Sequence, residues 1–157
     1  MAIHTLRRQQ IVHASLSDCW DFFSNPKNLE RITPRSLDFV VKSELPEAVH
    51  EGLMIEYQVR PLLGIPVTWL TEITHVDRPH FFVDEQRVGP YAIWHHEHTF
   101  RELGDGRVEV GDLVHYVLPF SFLGDLVHPF LVKPQLTKIF NYRTEVLAEI
   151  FPSPVVV

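Results

Sequence analysis

The feature that narrows this chain most is the shortness of its turns. Between Leu37 and Pro119, six segments rich in Val, Ile, Phe, Tyr, Trp and Thr follow one another, at residues 37–45, 53–59, 67–76, 81–88, 92–103 and 107–118. Pro46, Gly64-Ile65-Pro66, Arg78-Pro79, Gly89-Pro90 and Gly104-Asp105-Gly106 punctuate them. Such segments read as strands bounded by turns. A parallel crossover needs a dozen or more residues, which these connections lack, so successive strands must pair antiparallel.

The flanks complete the plan. Residues 6–12 read as an opening strand. Ser15-Leu16-Ser17-Asp18 resembles a capping box, in which the Ser15 hydroxyl and the Asp18 carboxylate satisfy free N–H groups ahead of a short helix through Trp20, Phe22 and Phe23. Asn25-Pro26 starts a second short helix that Thr33-Pro34 ends. Residues 120–131 form a helical or irregular approach broken by Pro129. Pro134 then opens a helix reaching about Phe151, roughly 27 Å long at 1.5 Å per residue. On it Leu136, Ile139, Phe140, Arg143, Leu147 and Ile150 form one stripe. An antiparallel sheet with one long helix on a face is an α+β arrangement, and 157 residues make a single domain spanning 1–157.

Composition excludes several classes of partner. Hydrophobic residues at 45% and charged residues at 22% are those of a globular chain, which rules out disorder. A formal charge of −6 argues against nucleic acid, whose affinity comes from Lys and Arg releasing counterions. No apolar run approaches a membrane span, so stable membrane insertion is not expected. Cys19 is the only cysteine, and the stretch after Arg7 and Arg8 is too polar for a signal peptide. The expected location is the cytoplasm.

Alternation sorts the sheet by face. The apolar face carries Ile55, Tyr57, Val59, Val67, Trp69, Ile73, Phe82, Trp94, Phe100, Val110, Val114, Tyr116 and Leu118. Asp84, Gln86, His96, His98 and Asp112 lie on the same face, with Arg143 in the helix stripe opposite. The other face holds Glu56, Gln58, Arg60, Glu72, Glu85, Arg87, Glu97, Arg101, Glu109 and His115 and belongs to solvent. Inward charges are costly unless paired, so these either satisfy one another or line a cavity.

At this point the chain resembles the helix-grip, birch-pollen-allergen-like domains of the SRPBCC or START-like superfamily. The likeness runs from the opening strand through Trp20-Asp21-Phe22-Phe23 to Ile139-Phe140-Asn141-Tyr142-Arg143. Phe82-x-Asp84-x-Gln86-x-x-Gly89-Pro90-Tyr91, Trp94-x-His96-x-His98-x-Phe100 and Asp112-x-Val114-x-Tyr116-x-Leu118-Pro119 resemble a bacterial subgroup labelled polyketide cyclase or dehydrase. The resemblance implies a seven-stranded curved antiparallel sheet wrapped around the C-terminal helix, with two short helices closing a ligand cavity. It supplies no shared catalytic motif.

Two functions follow as expectations. The first is a binding module for a small, mainly hydrophobic molecule of lipid, polyketide or aromatic type, held by Tyr57, Trp69, Phe82, Gln86, Trp94, Phe100, Tyr116, Phe140 and Arg143. The second is a cyclase- or dehydrase-like enzyme in which His96 or His98 moves protons and Asp84 or Asp112 orients the ring. His96-x-His98 with a nearby Asp has the makings of a three-ligand zinc site. His4, His50, His75, His80 and His128 show no such spacing, so no metal or cofactor is expected. Arg143 either pairs with Asp84 or Asp112, binds a ligand oxygen, or extends to water. Cys19 reads as an inert core thiol.

Overall fold

The computed structural model describes residues 2–60, 64–120 and 122–153, with the side chains of residues 122, 123 and 125 left aside. Seven strands are present: β1 (His4–His13), β2 (Val40–Val41), β3 (Met54–Val59), β4 (Val67–Asp77), β5 (Phe81–Val88), β6 (Ile93–Gly104) and β7 (Arg107–Val117). They form one sheet in the order β1-β7-β6-β5-β4-β3-β2, every pair antiparallel. The chain from β2 to β7 is thus a meander, and β1 returns to the far edge beside β7. With the long helix described below, this is the helix-grip α+β fold.

Between β1 and β2 lies helix α1 (Leu16–Phe23). The Ser15 hydroxyl oxygen accepts from the Asp18 backbone N–H at 3.1 Å. The Asp18 carboxylate, expected to reach a free N–H, instead accepts the Ser15 hydroxyl proton at 2.6 Å. Asn25 caps the next segment by accepting from the Lys27 N–H at 3.0 Å. That segment, Pro26–Ile32, winds as a 3-10 helix rather than an α-helix. So short a piece has few i→i+4 bonds to lose by tightening.

Two larger departures from the sequence reading concern chain direction. The strand expected at 37–45 shrinks to Val40–Val41, because Arg35–Leu37 forms a 3-10 turn and Asp38 sits at φ 45, in the left-handed region. An extended run cannot begin until that turn is complete. At the other end Pro129 does not break the helix. Helix α2 (Phe122–Val127) passes through a π-helical turn, His128–Val132, into helix α3 (Lys133–Ile150). Proline lacks an N–H and its ring crowds the carbonyl four residues back, and a wider turn relieves that crowding.

The apolar core falls into two clusters. One, around α1 and the turn ends of the strands, holds Val12, Trp20, Phe23, Phe82, Phe100, Val108 and Leu147. The second holds Trp94, Val114, Tyr116, Leu118, Val132, Leu136 and Phe140. Helix α3 buries Leu136, Phe140, Arg143 and Leu147 toward the sheet, on the stripe read from the sequence. None of the described helices is long and apolar enough to cross a membrane.

Candidate functional site

A cavity of about 170 Å³ lies between the sheet and α3. Its apolar lining includes Phe39, Tyr57, Trp69, Tyr91, Trp94 and Leu136. The rings support one another: Trp69 meets Trp94 edge-on at 5.3 Å and stacks on Tyr57 at 5.9 Å. The Tyr57 hydroxyl and Thr71 Oγ1 share a hydrogen bond of 3.0 Å. Burial, with Asp84 nearby, pushes the Tyr57 phenol far above its ordinary pKa, so it stays protonated.

One wall of the cavity is polar, and strand register builds it. Asp84 on β5 lies directly across from His96 on β6, and His98 lies directly across from Asp112 on β7. The shortest bonds run along the diagonals instead. His96 Nε2 meets Asp112 Oδ1 at 2.8 Å, and His98 Nε2 meets Asp84 Oδ2 at 2.7 Å. Each ring then turns its Nδ1 toward the carboxylate directly opposite: His96 to Asp84 Oδ2 at 3.4 Å, and His98 to Asp112 Oδ1 at 3.5 Å. Diagonal neighbours on one face are within reach of long side chains, so a crossed lattice is available to an antiparallel pair. The two imidazoles lie 3.8 Å apart, and His98 stacks on Phe82 at 4.3 Å.

Arg143 closes the lattice from the helix. Its NH1 donates to Asp112 Oδ1 at 2.9 Å, and its guanidinium lies 4.8 Å from the Phe140 ring centre. Both partners are buried, so Arg143 pairs with Asp112 rather than extending to water. Its Nε and the Trp69 Nε1 are buried donors without an acceptor among the described residues.

The electrostatics follow from burial and neighbours. Burial alone would raise the Asp112 carboxyl, but Arg143 and then His96 outweigh it and hold the group well below the usual carboxylate range. For Asp84 burial is likewise opposed by His96 and His98, and its pKa also falls. Burial, reinforced by His96, pushes the His98 imidazole down to about 4 against the pull of Asp84 and Asp112.

The cavity brings together Tyr57, Trp69, Phe82, Asp84, Trp94, His96, His98, Phe140 and Arg143 of the residues singled out from the sequence. Four others stand elsewhere. Gln86 clips the β5–β6 turn, donating to the Tyr91 carbonyl at 2.6 Å and accepting from its N–H at 3.2 Å. Phe100 is packed against Trp20 and Phe23. Tyr116 faces α2's end, its hydroxyl 2.7 Å from His128 Nε2. Asp112 lies behind His96, against a separate void of about 10 Å³ beside β1. Sequence reasoning did not single out Phe39, Thr71, Tyr91, Leu136 and Ile139 as lining residues; the α3 stripe signalled the last two.

No protein-family model matches the sequence, and comparison with curated proteins gives no match. Solved structures do match. A START superfamily protein from Mycobacterium smegmatis is 10% identical, covers 94% of this chain and 97% of its own, and superposes with a TM-score of 0.70. Ginseng major latex-like protein, from Panax ginseng, is 11% identical over 96% of this chain and 99% of its own, with a TM-score of 0.69. Norcoclaurine synthase of Thalictrum flavum, a point mutant in complex with a transition-state analogue, is 16% identical over 95% and 96%, with a TM-score of 0.66. A sheet gripping its last helix, with this set of neighbours, places the chain in the START-like, birch-pollen-allergen-like fold.

Proposed function

We propose that this protein binds a small, mainly hydrophobic molecule, of lipid, polyketide or aromatic type, between the sheet and α3. The observation that carries the reading is the cavity itself, with Tyr57, Trp69 and Trp94 on one side and Asp84, His96 and His98 on another. Pockets of this make-up, apolar with a few convergent polar groups, are the usual setting for ligands. On this reading the protein works in the cytoplasm as a single domain and handles its ligand away from membranes and nucleic acid.

The test uses the full chain with fatty acids, sterols and aromatic polyketides. A ligand present at a hundredfold its Kd stabilises by about 2.7 kcal/mol, or roughly 5–10 °C in Tm for a domain of this size. Trp69 and Trp94 line the cavity while Trp20 lies in the other core cluster, so a Trp20→Phe variant isolates the reporting rings. Absence of both a thermal shift and a fluorescence change across the three classes refutes the proposal.

A second reading is an enzyme, resembling a polyketide cyclase or dehydrase, in which His96 or His98 exchanges protons with a bound carbonyl compound and Asp84 or Asp112 orients the ring. It is favoured by Asp84, His96 and His98 lining the same cavity as the aromatic rings. Loss of turnover in His98→Gln with ligand binding retained supports it; unchanged turnover sinks it.

A further inference from the structure

The crossed lattice leaves one electrostatic debt. Two carboxylates face one guanidinium, so with both rings neutral a net negative charge remains in a buried wall. The tautomers sharpen the point. A neutral His96 that donates from Nε2 to Asp112 presents a bare Nδ1 lone pair to Asp84 Oδ2, 3.4 Å away. Two acceptors facing each other at that distance repel unless a cation lies between them.

The separation itself says which cation fits. Zinc bonded at about 2.0–2.1 Å with tetrahedral angles holds two ligand atoms about 3.3–3.4 Å apart. His96 Nδ1 and Asp84 Oδ2 stand at that spacing. His98 Nε2 is 2.7 Å from the same oxygen and must open by about 0.6 Å to join them. One metal-binding atom from each of Asp84, His96 and His98 falls within 4.8 Å of the others. We propose that Asp84, His96 and His98 form a three-ligand site for a divalent metal ion of the zinc class, with the open coordination position facing the cavity.

The surroundings suit that role. A metal-bound histidine generally donates its other ring N–H to a carboxylate, which fixes the tautomer and the ring plane. His96 does this to Asp112, and Arg143 anchors Asp112 from α3. Among the described residues no arginine bonds Asp84, which leaves that carboxylate available to a metal. All three ligand residues line the cavity, so the fourth position is open to water or to a ligand oxygen. Spacing in the sequence put His96 and His98 on one face, but it takes the register of β5 on β6 to make Asp84 the carboxylate that joins them. These three ligands would hold a metal whichever molecule the cavity takes.

The experiment is calorimetric titration of the untagged, chelator-treated full chain with Zn2+ alone. One equivalent is expected to bind, weakened at least a hundredfold in Asp84→Asn and in His98→Gln. Asp112→Asn, which removes the group positioning His96, is expected to cost ten- to a hundredfold. In case those variants fold poorly, the wild-type chain carries a second readout. Zn2+ should shift the ring proton resonances of His96 and His98 before those of the surface histidines, and Co2+ should give visible bands of a low-symmetry site. No stoichiometric uptake means the lattice holds a shared proton instead and overturns the proposal. Uptake of equal strength in the variants, or ring signals of His96 and His98 that do not move, overturns it as well.

Discussion

Replacing Arg143 with Met tests the buried ion pair at the heart of the site. The guanidinium donates to Asp112 at 2.9 Å, and the two side chains are 9% and 8% exposed. Removing one member of such a pair strands the other charge in the interior and costs about 3–5 kcal/mol. Two features of this structure reduce that figure. His96 still donates to Asp112, and the unmet Arg143 Nε disappears, which returns about 1 kcal/mol. The expected net loss is therefore about 2–4 kcal/mol, or roughly 4–16 °C in Tm. Urea unfolding monitored by circular dichroism measures it, provided the slope of the transition is unchanged. Asp112→Asn and the double variant complete a cycle, in which the double loss should fall well short of the sum. A loss below about 0.5 kcal/mol for Arg143→Met, at the level of an ordinary surface change, would refute the pairing and return the guanidinium to solvent.

Three further outcomes are expected. Gly124→Ala should destabilise by about 1–3 kcal/mol despite the better helix propensity of alanine, since the new Cβ would lie 2.5 Å from the Pro119 carbonyl oxygen; chemical denaturation gives the sign. Cys19, whose thiol is pushed up to about 11 by burial and by Asp18, should resist iodoacetamide at pH 8 in the native state and react once unfolded, as mass spectrometry of the alkylated protein would show. Phe120→Ser should change stability by less than about 0.5 kcal/mol, because Phe120 is 84% exposed, and thermal unfolding checks it.

How far the sequence could be read depended on which physical rule applied. Period-two alternation put Asp84, His96, His98 and Asp112 on one face, because pleating acts residue by residue. It could not say how far along the sheet a residue lies from the cavity. Phe100 shares a face with Trp94, yet the two fall in different core clusters. Nor does alternation give register, and register decides that His96 bonds diagonally to Asp112 while Asp84 stands directly opposite. Gln86 was legible as inward-facing, but its amide found the Tyr91 backbone across a turn, a contact set by loop geometry. The short β2 was hidden for a different reason: Asp38 adopts a left-handed conformation that nothing in its hydrophobic pattern announces.

The diagonal bonding also has a mechanical consequence. Braces that cross between three strands resist sliding in either direction along the strand axis, so β5, β6 and β7 form a stiff panel. The opposite margin hangs on two paired residues of β2, next to segments wound as 3-10 turns. On the proposed binding role, that lightly paired margin, rather than the braced panel, is where the cavity is expected to open for a guest molecule.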